Sequence, residues 1–398
     1  MDIQSVLMEF RPNLSSINCF ILLSTDIDSR VKISVKPDGI TIVNLETTHK
    51  IDTKKLFVIK NSSVFNFLVG NRFISFSFLN ERSSNEELLQ HNNKLNKSLC
   101  SELSLVNNNE YKVTCSNCSS NLLIDKSASF ERILELPMQF EMEDMFCHLH
   151  SNEDDDMGEE EPIPVVINDK YCYNDHGSGE SVAHKFQPNV KDIFYAKFYI
   201  LMNNTIFKSD TMIQKDQSVH CKRCLHLIGE LSSIKSSLKI WCENIHFDSN
   251  YFYKTINSIN LVVDAIKSII FSYNIMPAVT TVKIILECVV PNTNKKHNLL
   301  LQVMDRNLKI FKMNSQNFQL EDTKAMKVMY CASHEQQTSR KQNREELFKS
   351  WSKDLNVNCS EISFELFHNF YNYLSGNSVL IPHMHRTNDL FNFSYIDL

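Results

Sequence analysis

Short runs of alternating apolar and polar residues dominate the first eighty positions. Val31-Lys32-Ile33-Ser34-Val35 and Phe73-Ile74-Ser75-Phe76-Ser77-Phe78 repeat with a period near two. That spacing puts one face of a strand in a core and the other toward solvent. Residues 19–23, 40–45 and 56–59 are further runs rich in branched and aromatic side chains. Turn chemistry separates them. Pro37-Asp38-Gly39 combines the fixed φ of proline with the tolerance of glycine for positive φ, and Gly70-Asn71 marks a second turn between two apolar stretches. The pattern predicts a β-rich N-terminal domain over residues 1–80, an all-β sandwich or barrel.

Residues 81–110 are dominated by Ser, Asn, Glu and Lys and predict a polar linker or loop. The next unit, residues 111–240, contains short strands at 122–124 and 133–136, the second stopped by Pro137. Residues 193–207 are strongly apolar and aromatic, and Gly229 predicts a tight turn. The acidic loop 151–161 lacks the Asp-x-Asp-x-Asp-Gly pattern of a calcium loop and reads as a solvated tip.

Residues 241–398 mix the two periodicities. Apolar residues at 252, 256, 259, 262, 263, 266, 269, 270 and 273 have helical spacing up to Pro277. Strands are predicted at 282–290, 299–303, 308–313, 326–331 and 390–396. Helices are predicted at 340–355 and at 362–374, the latter ending before Gly376. The fold class that follows is mixed α+β, with the β-rich N-terminal domain joined through a four-cysteine zinc site to a C-terminal α+β domain.

That site rests on two short hooks, Cys115-Ser116-Asn117-Cys118 and Cys221-Lys222-Arg223-Cys224. Two thiolates of a C-x-x-C hook grip one face of a metal ion, and two hooks close a tetrahedral structural zinc site. Zinc ribbons bring their hooks within roughly 15 to 20 residues of each other. Here residues 119–220 intervene, so the chain must leave, build something and return. The competing readings are two isolated turns with free thiols, or redox pairs. A thioredoxin-like pair fits poorly, because neither hook opens a helix in a βαβ pattern.

Composition narrows the function. The 398 residues are 42% hydrophobic and 22% charged, ordinary for a globular protein with two or three cores. A formal charge of -6 provides no general surface for nucleic acid or an anionic membrane. Only seven glycines are present, and no P-loop, H-E-x-x-H or G-x-S-x-G occurs. Twelve cysteines in so long a chain read as reduced thiols with a metal-binding subset. No secretory leader or membrane-length apolar run is evident. The expected compartment is therefore the cytoplasm, with the nucleus as the second.

With these pieces placed, the sequence resembles the HECT-like, ubiquitin-conjugating-enzyme-binding ubiquitin ligases. The likeness is carried by Val113-Thr114-Cys115-Ser116-Asn117-Cys118, Phe146-Cys147-His148 and Val219-His220-Cys221-Lys222-Arg223-Cys224 with its continuation to Glu230. Val328-Met329-Tyr330 and residues 347–354 around Trp351 add to it. The resemblance implies a ligase that binds a conjugating enzyme and passes ubiquitin to protein substrates such as cyclins for proteasomal degradation. It points to Cys147 as a functional residue and to residues 221–241 as the conjugating-enzyme contact. The family tends to have Trp-Cys-Cys-His where this chain has Met145-Phe146-Cys147-His148, with a single cysteine.

A ligase either holds the charged conjugating enzyme near a substrate or takes ubiquitin as a thioester on its own cysteine. The second route needs an exposed thiol of lowered pKa beside a base. Cys147 with His148 is the candidate catalytic pair; an alternative zinc ligand or a buried residue are the plain readings of the same two positions. Cys331, in a predicted strand, and Cys359, at a predicted helix start, lack the setting of a C-terminal HECT nucleophile. A RING needs eight tightly spaced ligands and is not encoded. A zinc-stapled adaptor or stability factor without catalysis is the alternative class.

Overall fold

The computed structural model describes residues 3–27, 31–44, 47–61, 63–81, 106–136, 165–167, 170–172, 187–232, 236–248, 258–274, 281–291, 293, 295–313, 319–334, 341–354 and 356–398. They fold into a mostly β structure with few helices, more β than the expected α+β mixture.

The spine is one long strand, Lys296–Met313. One edge pairs along its length with Leu320–Ala332, an antiparallel hairpin. The other edge is shared: residues 296–303 pair with Val282–Val289 and residues 309–312 with Ile3–Arg11. Two strands were expected here, at 299–303 and 308–313. The polar stretch Asp305-Arg306-Asn307 between them is accommodated by register shifts between Val303 and Leu308, bulges that bend a strand without ending it.

Through this spine both ends of the chain enter one ten-stranded sheet. Its path runs Thr387–Asn388, Phe391–Asp397, Leu320–Ala332, Lys296–Met313, Ile3–Arg11, Ser16–Leu23, Phe73–Leu79, Phe65–Val69, with Val282–Val289 and Val357–Glu361 beside the spine. The predicted turn at Gly70-Asn71 closes the last hairpin, where the Gly70 amide donates to the Phe73 carbonyl at 3.0 Å. Pro37-Asp38-Gly39 joins Lys32–Lys36 to Gly39–Asn44 in a separate three-stranded sheet. A Cβ on Gly39 would lie 2.5 Å from the Ile51 carbonyl oxygen, so only glycine fits.

The strand Ile3–Arg11 has no counterpart among the expected elements, because Glu9 and Arg11 break its apolar pattern. Its Val6, Leu7, Met8 and Phe10 are buried, and so is Glu9, at 0% exposure. Glu9 accepts hydrogen bonds from Lys327 and Tyr395 on one oxygen. The other oxygen accepts from Asn18 at 3.0 Å and Arg11 at 3.3 Å. Burial alone would push the Glu9 carboxyl up, but Lys327 and these donors draw it down to about 2.

A second sheet of seven strands runs Arg132–Glu135, Asp192–Tyr195, Tyr199–Asn203, Ser237–Trp241, Leu227–Leu231, Ser218–Cys221, Met212–Lys215. Gly229 lies inside Leu227–Leu231 rather than at the expected turn, and a Cβ there would sit 2.0 Å from the Lys239 carbonyl oxygen. The glycine lets the neighbouring strand approach. A three-stranded sheet of Ile245–Asp248, Glu110–Cys115 and Ala128–Ser129 completes this region. Leu122 to Ile124, expected as a strand, makes only an isolated bridge from Leu123 to Phe207.

Helices Ser258–Asn274 and Phe364–Ser378 pack into the same apolar core as these two smaller sheets and the rear strands. Ser363 caps the second, accepting from the Leu366 amide at 3.0 Å. That helix continues past Gly376, whose Cβ position faces open space, instead of stopping before it. The N-terminal strands keep their own core, which includes Phe311 of the spine.

Two buried polar contacts join the seven-stranded sheet to the rear. Lys239 bridges Glu230 at 3.0 Å and Glu361, and its ammonium lies 4.6 Å over the Tyr199 ring and 4.9 Å over the Trp241 ring. Glu243 accepts a hydrogen bond from Ser363, and burial pushes its carboxyl up to about 7 despite that bond.

Two stability measurements check these contacts. Glu9→Ala strands Lys327 in the interior and is expected to cost about 3–5 kcal/mol in urea unfolding near pH 7. The depressed pKa adds that the Glu9 contribution is intact above about pH 4.5 and fades as pH falls toward 2. Glu243 has the opposite sign. Its protonated form is the one the fold favours, so its contribution is full below about 4.5 and is lost as pH rises through about 7. Glu243→Gln is therefore expected to exceed wild-type stability at pH 8 by on the order of 3 kcal/mol and to match it near pH 4.5.

Candidate metal centre

Each hook begins at the end of a strand. Cys115 closes Glu110–Cys115 and Cys221 closes Ser218–Cys221. The two turns that follow are built alike. In the first, the Ser119 amide donates to the Cys115 carbonyl at 2.9 Å and the Cys115 amide to the Ser120 carbonyl at 3.0 Å. In the second, the Leu225 amide donates to the Cys221 carbonyl at 2.8 Å and the Cys221 amide to the His226 carbonyl at 2.8 Å. The residue after each second cysteine is left-handed: Ser119 at φ 55° and Leu225 at φ 62°. Neither is glycine, so both turns hold non-glycine residues in a conformation that costs energy.

The turns bring the four sulfurs together. Cys115 Sγ lies 3.6 Å from Cys224 Sγ, and Cys118 Sγ 3.6 Å from Cys221 Sγ. All four lie within 4.8 Å of one another. Four thiolates at about 2.3 Å from one ion would be about 3.8 Å apart, so the set fits a tetrahedral metal ion. Among the described residues no other group of three or more His, Cys, Asp or Glu side chains converges in this way. Cys115 and Cys221 are buried, while Cys118 and Cys224 reach the surface.

Main-chain amides turn toward the sulfurs, as thiolate ligands require. Burial pushes the Cys115 thiol up to about 12, with the amides of Cys118 and Asn117 pulling against it. Cys118 is also raised by burial, opposed by the Ser120 amide. Cys224 is drawn down to about 7 against its burial, chiefly by the His226 amide. The Ser120 and His226 amides occupy equivalent places in the two turns.

Further contacts lock the turns to each other. Ser116 Oγ and His226 Nε2 are hydrogen-bonded at 3.2 Å. The Lys208 amide donates to the Leu122 carbonyl at 2.9 Å, and Thr211 Oγ1 to the same carbonyl at 3.2 Å. The Lys222 amide in turn donates to the Thr211 carbonyl at 2.8 Å. The Ser116 amide donates to the Asn244 carbonyl at 3.1 Å. Ser116, Thr211 and His226 were not singled out in the sequence. Their one signal is adjacency to a hook, which does not say which side chain reaches across.

The site's four cysteines lie on segments within residues 106–248. The N-terminal strand Ile3–Arg11 also pairs directly with the spine. Cys147 and His148, the candidate catalytic pair, lie outside the described residues, as do the acidic loop 151–161 and most of the polar stretch 81–110. Cys359 sits in the strand Val357–Glu361, not at a helix start, and burial pushes its thiol up to about 11. Burial also raises Cys19 and Cys242, and it brings Cys288 to about 12. None of these thiols has the lowered pKa that a nucleophile needs. No described helix is long and apolar enough to cross a membrane.

Residues 9–393 match the family described as HECT-like ubiquitin-conjugating enzyme (E2)-binding, and the chain belongs to that family. No curated protein and no solved structure matches it.

One metal ion per chain is the expected content of the purified protein. Cys115→Ser and Cys221→Ser are each expected to lose all of it and to become protease-sensitive, since an incomplete site cannot hold its ligands together. Metal analysis by mass spectrometry checks this, and half-retention in each variant would mean two separate sites.

Proposed function

We propose that this protein is an E3 ubiquitin–protein ligase: it binds a ubiquitin-conjugating enzyme and promotes transfer of ubiquitin to protein substrates such as cyclins, marking them for proteasomal degradation. The observation that carries this is the E2-binding family match over residues 9–393. In this reading the metal is zinc, held structurally by Cys115, Cys118, Cys221 and Cys224. A four-thiolate set with no open position suits a redox-inert ion that fixes two turns and leaves no place for substrate. The setting is the reducing cytoplasm, with the nucleus as the second compartment, where such thiols persist.

The conjugating enzyme contacts residues 221–241. Leu227, Glu230 and Trp241 of that segment line a shallow cleft with Val289, Pro291 and Phe364 of the rear. Apolar walls whose neighbouring carboxylates Glu230 and Glu361 are already held by Lys239 suit a protein surface that presents an apolar side chain. A ligase that holds the charged enzyme here brings its thioester to an acceptor lysine. The amine attacks the thioester carbonyl and the enzyme's thiol leaves. The other route passes ubiquitin first to Cys147, with His148 as the base that takes the thiol proton.

The raised pKa of Cys359, Cys288, Cys242 and Cys19 favours a second reading, a zinc-stapled adaptor that binds the conjugating enzyme without chemistry of its own. Incubation with activating enzyme, conjugating enzymes and ubiquitin, followed on non-reducing gels, separates the two. Conjugates that form only in the presence of this protein are expected, and a thiol-sensitive adduct lost in Cys147→Ala would identify the thioester route. Binding of a conjugating enzyme with no transfer from any of them would leave the adaptor.

A further inference from the structure

The outermost strand of the large sheet, Phe65–Val69, pairs with Phe73–Leu79 on one side. Among the described residues no strand pairs with its other edge. An open edge carries a row of main-chain donors and acceptors that template further pairing, and natural edges are usually blunted with charge or proline. This edge has neither. Residues 61–71 contain no charged side chain and no proline. Val64, Phe65, Phe67, Leu68 and Val69 stand between 37% and 54% exposed. Apolar side chains on both faces are the composition of a strand interior to a sheet, here at its rim. A bulge, with Asn66 at φ 52° and a register shift between Phe65 and Leu68, sets how the edge presents itself.

We propose that this edge pairs antiparallel with the same edge of a second copy of the chain, making a two-fold dimer in which one sheet crosses the interface. Three features select a second copy as the occupant. About Asn66 the run Val64-Phe65-Asn66-Phe67-Leu68 reads almost the same in either direction, so a two-fold there sets Phe65 against Phe67 and Val64 against Leu68 of the other copy. Its lack of charge removes the like-charge repulsion that opposes identical edges. The charges that do meet lie at the ends, Lys60 of one copy near Arg72 of the other, and Arg72 already holds Asp26 at 2.7 Å. That carboxylate offsets the encounter of the two cations. A strand-to-strand contact of this length falls at the small end of specific interfaces, below roughly 1,200 Å², so micromolar association is expected.

Sedimentation of the full chain tests the pairing over concentrations on the order of 1 to 100 µM. Wild type is expected to pass from the mass of one chain to that of two. Phe67→Lys and Phe67→Glu, each made at an exposed position, are each expected to remain at the mass of one chain while melting like wild type. An equimolar mixture of the two variants is expected to recover the doubled mass, because the residue-67 side chains of the two copies, diagonal neighbours on one face of the pairing, then carry opposite charges. A wild-type chain that stays single throughout, variants that still double, or a mixture that does not recover would overturn the proposal. The melting profiles distinguish loss of pairing from loss of fold.

Discussion

A line of polar side chains crosses the large sheet and ties the front of the chain to its rear. Ser77 donates to Asn18 at 2.8 Å, Asn18 donates to Glu9 at 3.0 Å, and Glu9 receives Lys327 and Tyr395 from strands on the far side of the spine. Burying a lone carboxylate is expensive, and burying one with its cation and three further donors is tolerable only in a fixed geometry. Glu9 therefore does more than fill a place in Ile3–Arg11. It specifies which strands flank that one, since a slip of one residue would turn the carboxylate to the opposite face and leave Lys327 unpaired. The N-terminal strand is thus part of the frame on which the C-terminal strands are hung.

The metal centre answers a different problem, the distance along the chain between its halves. Closing a loop of about a hundred residues costs roughly 4 kcal/mol beyond a constant, by the logarithmic law of chain closure. A structural zinc site supplies about 10–16 kcal/mol in small peptides near neutral pH, enough to offset closure and the left-handed backbone at Ser119 and Leu225. The excursion it closes contains the strands Asp192–Tyr195 and Tyr199–Asn203, whose Ile193, Ile200 and Met202 are fully buried in the core shared with the rear helices. A bound metal and the core would then hold the same segment from two sides.

Much of this was readable in the chain, and the misreadings have physical causes. Lys32–Lys36 followed its alternation, with Ile33 and Val35 half-buried between exposed residues, whereas Phe73–Leu79 formed its strand with both faces covered, Ser75 and Ser77 being buried as well. The hooks were readable because C-x-x-C twice leaves few other chemistries. Ile3–Arg11 was not, since Glu9 reads as a solvent-facing charge until Lys327, over three hundred residues away, supplies its partner. Gly229 was misread as a turn because a glycine that permits backbone approach has the same local signature as one that permits positive φ. Gly376 failed as a helix stop because helix Phe364–Ser378 is held by buried Phe367, Phe370 and Leu374, whose packing outweighs about 1 kcal/mol of glycine propensity.

The first hook also has a route to the rear of the molecule. Ser116 holds the Asn244 carbonyl through its amide, and Glu243, the preceding residue, holds the hydroxyl of Ser363. Ser363 is the cap of helix Phe364–Ser378, whose first turn contributes Phe364 to the cleft shared with Leu227 and Trp241. A displacement of the first hook would therefore move the short turn at 242–244, then the helix cap, then one wall of the cleft. The second hook reaches the opposite wall directly, since Leu227–Leu231 begins three residues after Cys224 and pairs with Ser218–Cys221. Both walls of the cleft are thus referenced to the same four sulfurs. A closed four-thiolate site takes no part in bond making, yet by this arrangement it sets the width of the surface that the rest of the protein presents.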